Sequence, residues 1–291
     1  MRSISPFRST SLLIGLFCLY LSGCAVLPSN AELNQRADAL IRGAGLQRGQ
    51  VKTEHFVLAT FSRISRPDLP LTIYIEGDGF AWRTRSQPSA DPTPLKPQGL
   101  TLASVDPAAN VVYLARPCQF IPMGANPRCS VAYWTSKRFA EEVVQAMDQA
   151  VSHFAQQVAG QPIHLVGFSG GAGIAALIAA RRQDIGTLRT VAGNLDTVEF
   201  NRLHRTTPMP ESLNAIDVAP RLASLAQIHY YGSQDKVVPP SIGQRFAQAT
   251  AGHCTQVRVV EGMSHYSDWS QLWVDLLAKP AQCSMRDTHE R

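Results

Sequence analysis

An apolar strand, a glycine-rich turn and an alanine-rich helix follow one another directly in residues 162–173. The turn reads G-F-S-G-G at residues 167–171, which matches the pattern G-x-S-x-G. A turn this sharp leaves no room for Cβ atoms beside the serine, and its strain lifts the serine hydroxyl to the end of a sheet. The segment therefore predicts a strand–helix unit that presents Ser169. A serine that only caps the helix is the alternative, and the surrounding pattern has to decide between the two.

Apolar strand patterns alternate with helix patterns along the rest of the chain. We predict strands at residues 55–61, 71–75, 111–114, 163–166, 188–192, 227–231 and 256–260. Helices are predicted around residues 31–42, 136–157, 170–182, 241–250 and 269–277, with one more before the strand at 227–231. Long surface loops are predicted at residues 82–99 and 197–214. Strands separated by helices imply an α/β fold, with a doubly wound, mainly parallel sheet of seven to eight strands.

Three histidines can be sorted by their position relative to a predicted strand. Ligands of a parallel sheet gather at the carboxyl ends of its strands. His265 follows the strand at 256–260, whereas His253 precedes that strand and His289 lies in a polar tail. A histidine close to a serine nucleophile can accept its proton, so His265 is the predicted general base.

An acid is needed to orient the imidazole and to stabilise its charged form. Asp235 follows the predicted strand at 227–231, and Asp196 follows the strand before it. We favour Asp235; Asp196 is the alternative acid, unless it is a turn residue that caps backbone amides. Ser169, Asp235 and His265 then occur along the chain in the order nucleophile, acid, base.

Acyl transfer also requires hydrogen-bond donors aimed at the oxyanion that forms on the attacked carbonyl. One predicted donor is the backbone N–H of Gly170, directly after the serine. The other is the N–H of Asp78 or of Gly79, in the glycine turn that follows the strand at 71–75. A tight turn without a catalytic role is the alternative for these two residues.

In these motifs the chain resembles the α/β-hydrolase superfamily, specifically a bacterial lipoprotein member, over about residues 52–280. The resemblance rests on four segments in the expected order, at residues 77–79, 167–171, 232–239 and 262–265. It implies the α/β-hydrolase fold and an esterase-like serine hydrolase that forms an acyl-enzyme on a carboxylester-type substrate, with no metal or organic cofactor. Thioesterase, lipase and peptidase activities stay open. The chain departs from many relatives at Glu76, which replaces a His, and an inward carboxylate there would repel the oxyanion.

Two other classes of function compete with the enzyme. Residues 171–176 loosely match the dinucleotide fingerprint G-x-G-x-x-A, but close packing of a helix on a strand explains the same glycines. The stronger alternative is a non-catalytic lipoprotein that uses this scaffold to bind a partner or an envelope component, because a fold does not fix a function. The set of Ser169, Asp235 and His265 favours the enzyme, with a small-molecule or lipid-like ester as its substrate.

Nucleic-acid binding has no support in the charge pattern. Lysine and arginine total 27 against 22 acidic residues, which gives a net charge of +5. Removal of residues 1–23, with Arg2 and Arg8, leaves 25 basic residues against 22 and a net charge of +3. Because no basic run or aromatic–basic stripe occurs, we expect no nucleic-acid partner.

The first residues predict export and lipidation. Residues 1–23 combine a basic flank, an apolar run at 12–21 and small residues, which is typical of a secretory signal and too short to span a bilayer stably. L-S-G-C at residues 21–24 resembles the lipobox of bacterial lipoproteins, which implies lipidation of Cys24; an ordinary signal peptide is the alternative. Ala25, in place of Asp, then favours the outer membrane, facing the periplasm. The predicted organisation is a signal peptide at 1–23, a tether with a short helix at 24–50, a hydrolase domain at 51–283 and a polar tail at 284–291.

Four cysteines remain beyond the predicted signal peptide and lipidation site. An even number of cysteines in an exported chain favours disulfides. Of the three possible connectivities we predict Cys118–Cys129 and Cys254–Cys283, with free thiols as the alternative. Metal binding is disfavoured because these cysteines show no C-x-x-C or histidine-paired spacing.

Overall fold

The computed structural model describes residues 27–158 and 160–283 of the chain. The predicted signal peptide, the predicted lipidation site Cys24 and the predicted polar tail at 284–291 lie outside these residues. Within the described ranges, no helix has the length and apolar character needed to cross a membrane.

One eight-stranded sheet runs through the described domain. Its strands in chain order are β1 (Gln47–Lys52), β2 (Val57–Ile64), β3 (Leu71–Ile75), β4 (Asn110–Leu114), β5 (Ile163–Phe168), β6 (Ile185–Val191), β7 (Ala226–Gly232) and β8 (Thr255–Val260). Their spatial order is β1-β2-β4-β3-β5-β6-β7-β8. β2 pairs antiparallel with β1 and β4, and all the other neighbours are parallel. The predicted α/β fold, with a doubly wound and mainly parallel sheet of seven to eight strands, is confirmed.

Helices cover the sheet on both faces. In chain order they are α1 (Asn30–Ile41), α2 (Gln98–Val105), α3 (Glu141–Ala155), α4 (Gly170–Ala179), α5 (Thr197–His204), α6 (Pro240–Thr250) and α7 (Ser270–Leu277). α3, α4 and α6 bury apolar side chains in one core cluster, and α1, α2 and α7 bury theirs in a second. Leu71 and Ile73 of β3 join the first cluster, whereas Tyr74 joins the second. Successive strand residues point to opposite faces, so each cluster covers one face of the sheet.

The central strands bring the functional loops to one edge. All five residues of β3 are buried, as expected for a strand with helices on both faces. β3 lies parallel to β4 on one side and to β5 on the other. The residues that follow the six parallel strands therefore meet at one side of the sheet, which we call the carboxyl edge. It comprises the loops after Ile75, Leu114, Phe168, Val191, Gly232 and Val260.

Three elements were missed in segments predicted as tether or loop. β1 lies at the end of the predicted tether, and its sequence QRGQVK buries only Val51, so it lacks the alternating apolar pattern of a strand. α2 begins at Gln98, inside the predicted loop at 82–99, and that loop also buries Thr93. α5 fills the first part of the predicted loop at 197–214. Each element is short or polar, so tertiary packing rather than local pattern determines it.

Both predicted disulfides are present, Cys118–Cys129 and Cys254–Cys283. The first closes a loop that follows β4 at the carboxyl edge. The second joins the residue before β8 to the chain beyond α7, at the opposite edge. The described residues contain one cluster of possible metal ligands, formed by His253 with Cys254 and Cys283, and its two cysteine sulfurs are bonded to each other.

Candidate active site

Ser169 lies at the carboxyl edge, on the turn between β5 and α4. Its backbone has φ 50° and ψ −119°, a conformation that residues other than glycine rarely adopt. A Cβ atom on Gly167 would lie 2.4 Å from the Cα of Ala172, and one on Gly171 would lie 2.3 Å from the carbonyl oxygen of Ile75. Since backbone atoms cannot give way by that much, both glycines are required for this strained turn.

A chain of hydrogen bonds links Ser169, His265 and Asp235. The Nε2 of His265 lies 3.1 Å from the Oγ of Ser169, and its Nδ1 lies 2.9 Å from the Oδ2 of Asp235. The Oδ1 of Asp235 accepts hydrogen bonds from the amides of Val237 and Val238, both at 2.8 Å. The Asp235 side chain has no exposed area, and that of His265 is 7% exposed. The carboxylate therefore orients the imidazole in an almost dry setting.

Two loops hold the imidazole and the carboxylate in this position. Asp235 follows β7, and His265 follows β8, as the strand-end rule predicted. The amide of Gln234 donates to the carbonyl of Met263 at 2.9 Å, which ties the two loops together. The Phe168 ring packs against the imidazole at 5.4 Å between ring centres. The base and its acid thus rest on neighbouring strands, and a backbone hydrogen bond fixes their separation.

Asp196 is bonded elsewhere. Its carboxylate caps α5 by accepting from the amide of Glu199 at 3.1 Å. It also accepts from the Nδ2 of Asn214 at 3.2 Å and pairs with the Nε of Arg245 at 3.0 Å. The structure thus brings Asp235, and not Asp196, to His265. His253 precedes β8, away from this group, and His289 lies outside the described residues.

The turn after β3 lies directly against the serine. A Cβ atom on Gly77 would be 3.2 Å from the Cβ of Ser169, and one on Gly170 would be 2.1 Å from the Oδ1 of Asp78. In the described part of the chain, the amides of Asp78, Gly79 and Gly170 have no hydrogen-bond acceptor. Free backbone donors therefore stand on two sides of Ser169.

The Glu76 carboxylate is turned into the start of α2. It accepts hydrogen bonds from the amides of Gly99 and Leu100, at 3.2 and 3.4 Å, and from the Tyr113 hydroxyl at 3.1 Å. The amide of Gly77 is a fourth donor, at 2.9 Å. Burial raises the pKa of Glu76, while these hydrogen bonds favour its charged form and act in the opposite direction. The predicted repulsion of an oxyanion requires this carboxylate to face Ser169, but both of its oxygens are bonded to α2, Gly77 and Tyr113.

Two buried arginines hold the Asp78 side chain, and the sequence analysis did not identify them. Arg116 Nη1 lies 3.3 Å from one carboxylate oxygen of Asp78, and Arg138 Nε lies 3.2 Å from the other. Arg116 Nη2 also donates to the carbonyl of Arg138. Burial lowers the pKa of Arg116 to about 10, where it remains charged at neutral pH. Because Arg116 closely follows the end of β4, the same strand-end rule that selected His265 could have found it.

One neighbouring side chain holds the turn itself. The Gln119 Nε2 donates to the carbonyl of Gly77 at 3.0 Å, and its Oε1 accepts from the amide of Arg116. The turn that carries the Asp78 amide is thus fixed through both its backbone and its side chain.

Comparison with protein families finds one family whose model matches this chain. The model of the family "Serine hydrolase (FSH1)" matches residues 101–266, which is more than half of the chain. The matched segment includes Ser169, Asp235 and His265. No curated protein sequence matches the chain significantly.

Solved structures share the fold at low sequence identity. A membrane phospholipase A described as a bacterial virulence factor has a TM-score of 0.55 and 17% identity, over 85% of this chain and 91% of that one. A putative lipase from Acinetobacter baumannii has a TM-score of 0.53 and 14% identity, over 87% of this chain and 95% of that one. An esterase from Pyrococcus furiosus has a TM-score of 0.57 and 10% identity, over 87% of this chain and 94% of that one. At these identities the likeness establishes the fold.

Proposed function

The chain belongs to the FSH1 family of serine hydrolases, and from this premise we propose that it cleaves a carboxylester-type bond through an acyl-enzyme on Ser169. The observation that carries the proposal is the hydrogen-bond chain from Ser169 through His265 to Asp235. A serine hydroxyl is a weak nucleophile on its own, and a neighbouring imidazole that is oriented by a carboxylate makes it reactive.

The first step is attack on the substrate carbonyl. Nε2 of His265 takes the hydroxyl proton as Ser169 Oγ bonds to the carbonyl carbon, and the carbonyl oxygen becomes an oxyanion. Asp235 keeps the other proton of the ring on Nδ1, so that Nε2 is free to act as the base. The charge of the imidazolium is then stabilised by a carboxylate that two backbone amides hold in place.

The oxyanion is held by backbone amides. Gly170 and Asp78 supply the two N–H donors, and each is worth roughly 3–4 kcal/mol of the activation barrier if it is typical. Gly79 is the alternative to Asp78, since its amide likewise has no hydrogen-bond acceptor among the described residues.

Breakdown of the intermediate releases the alcohol and then the acid. His265 returns the proton to the leaving alkoxide, and the C–O bond of the ester breaks to leave the acyl group on Ser169. Water then attacks the acyl-enzyme with His265 again as base, which regenerates the free serine and yields a carboxylic acid. Every step uses residues of this chain and water, and none requires a metal or an organic cofactor.

The setting of the reaction is part of the proposal. The lipobox at residues 21–24 supports an enzyme anchored through a lipid on Cys24 and facing the periplasm from the outer membrane. The fold shared with a membrane phospholipase A and a putative lipase supports a lipid-like ester as the substrate. Incorporation of labelled palmitate that is lost in Cys24→Ala would support the anchor, and equal labelling of both proteins would refute it.

A fluorophosphonate probe tests the catalytic role directly. Such a probe bonds covalently only to an activated serine, so the wild-type protein should be labelled and Ser169→Ala should not. Ser86→Ala, at an exposed serine of the same domain, is the matched control and should label like the wild type. A folded wild-type protein that takes no label would refute the proposal and favour a non-catalytic binding protein.

A further inference from the structure

An exposed hairpin follows the turn that carries the Asp78 amide. Trp82 and Pro88 form an antiparallel bridge, and the amide of Arg83 donates to the carbonyl of Gln87 at 2.8 Å. The amide of Gln87 in turn donates to the Oγ1 of Thr84 at 3.1 Å. We call residues 82–88 the Trp82 hairpin. Its tip has a defined shape although residues 82–87 are all exposed.

The side chains of the Trp82 hairpin are unusual for a surface turn. Trp82 is 41% exposed, whereas the other three tryptophans of the chain are at most 5% exposed. Residues 79–90 contain two arginines, Arg83 and Arg85, and no acidic residue. Among the ion pairs of the described residues, neither arginine takes part. An aromatic side chain and two free positive charges thus project into solvent together.

The base of the hairpin is fixed at the carboxyl edge. The amide of Ser89 donates to the carbonyl of Ala81 at 2.9 Å, and the amide of Phe80 donates to the carbonyl of Pro92 at 3.0 Å. The indole of Trp134 donates to the carbonyl of Ser89. The hairpin therefore projects from the same side of the sheet as Ser169.

The amino-terminal end of the described chain lies beside this base. The Nδ2 of Asn30 donates to the Oδ2 of Asp91 at 2.9 Å, just beyond the hairpin. Only three residue steps separate Leu27 from Cys24, and a chain of that length spans at most about 10 Å. Tyr266, the neighbour of His265, adds a further aromatic side chain that is 74% exposed.

We propose that the Trp82 hairpin is a membrane contact, with Trp82 in the interface of a phospholipid surface and Arg83 and Arg85 on anionic headgroups. Tryptophan prefers the level of the lipid headgroups, where its apolar ring contacts the acyl chains and its N–H remains hydrogen-bonded to water or headgroups. Basic residues close to an anionic membrane are attracted to it, and the Trp82 hairpin carries two of them and no acidic residue of its own. The contact turns the carboxyl edge, with Ser169, toward the lipid surface.

Tryptophan fluorescence in vesicles with brominated acyl chains tests this contact. The full chain, purified from membranes, is reconstituted into brominated phosphatidylcholine mixed with phosphatidylglycerol. Bromine quenches a tryptophan that reaches the acyl-chain boundary, so part of the emission should be lost, and Trp82→Phe should remove the quenchable part. No quenching, or equal quenching in Trp82→Phe, would overturn the proposal.

The charged part of the contact has its own variant and control. Each arginine near an anionic surface contributes about fivefold to the ratio of docked to undocked hairpin, so Arg83→Ser/Arg85→Ser should lower that ratio roughly thirtyfold and with it the quenching. Arg221→Ser/Arg258→Ser removes the same charge from exposed positions outside the carboxyl edge and should leave quenching unchanged. Equal losses in the two double variants would refute a specific role for the hairpin. The quenching measurement needs no hydrolysis, so its outcome is independent of whether the fluorophosphonate probe labels Ser169.

Discussion

Replacement of Asp235 by Asn tests the proposed roles of Asp235 and His265. It changes which imidazole nitrogen carries the proton and keeps the shape of the side chain at residue 235. One carboxylate oxygen accepts from the amides of Val237 and Val238, and the other accepts from the Nδ1–H of His265. An Asn side chain must keep its only oxygen on the two amides, since its NH₂ group cannot accept from them. The NH₂ group then faces Nδ1 and forces the imidazole proton onto Nε2.

The magnitude follows from the loss of the reactive tautomer. With a proton already on Nε2, His265 donates to Ser169 and no longer accepts its proton. The corresponding Asp-to-Asn replacement in serine proteases, which also gives the wrong tautomer, lowers kcat about 10⁴-fold. This corresponds to a rise of about 5.4 kcal/mol in the activation free energy. The side-chain volume and the two amide hydrogen bonds are retained, so thermal stability should change little. We therefore expect a folded protein with almost no turnover of a nitrophenyl ester.

Asp196→Asn is the matched control for this experiment. It makes the same chemical exchange at the acid that caps α5 and pairs with Arg245. The Asp196 carboxylate is buried and its partner Arg245 is exposed, so loss of this ion pair and part of a helix cap costs about 1–3 kcal/mol of stability and leaves the imidazole untouched. Turnover should stay within a few-fold of the wild type. A nearly active Asp235→Asn protein, or an inactive Asp196→Asn protein, would refute the assignment of the acid.

Three further predictions follow from other contacts. Gly170→Ala puts a methyl group 2.1 Å from the Oδ1 of Asp78, whose carboxylate two arginines hold, so kcat should fall about 10²–10³-fold because the proposed oxyanion donors are displaced. Gly43→Ala, with open space around it, is the control, and a near-normal kcat of Gly170→Ala would contradict the assignment. Burial lowers the pKa of His229 to about 3, and an unfolded histidine takes up a proton below about 6.5. His229 should therefore contribute a loss of up to about 1.4 kcal/mol of wild-type stability per pH unit as the pH drops from about 6.5 toward 3, and His229→Gln should remove this part of the slope in urea melts. Cys254→Ser/Cys283→Ser should lower stability by about 3 kcal/mol while kcat is kept, because that disulfide lies at the edge opposite Ser169.

The sequence predicted most of the fold because its central strands are almost entirely buried. β3 and β5 are apolar runs between turn residues, and such runs have few alternatives once helices separate them. The positions of His265 and Asp235 followed from the rule that loops at strand ends meet at one edge. To apply that rule, only the order of the strands along the chain has to be known. It therefore holds even where the predicted strand boundaries differ from the observed ones by a few residues.

The remaining features depend on contacts that no local pattern reveals. β1 is a polar edge strand, and only its pairing with β2 defines it. Glu76 looked unfavourable for an oxyanion because its direction depends on α2, which the sequence analysis missed. Arg116 and Arg138 are far apart in sequence, and they meet at the Asp78 carboxylate and through the hydrogen bond from Arg116 to the carbonyl of Arg138. Side-chain direction and ion pairing thus had to come from the structure.

The Cys118–Cys129 disulfide lies within the support of the candidate active site. Cys118 lies between Arg116, which holds the Asp78 side chain, and Gln119, which holds the Gly77 carbonyl. Closing this loop therefore stiffens the support under one of the two oxyanion donors. Under the proposed export, a newly made chain in a reducing cytosol has all of its proposed catalytic side chains but lacks this brace. Its hydrolysis of a nitrophenyl ester is then expected to rise once the disulfide forms in an oxidising compartment.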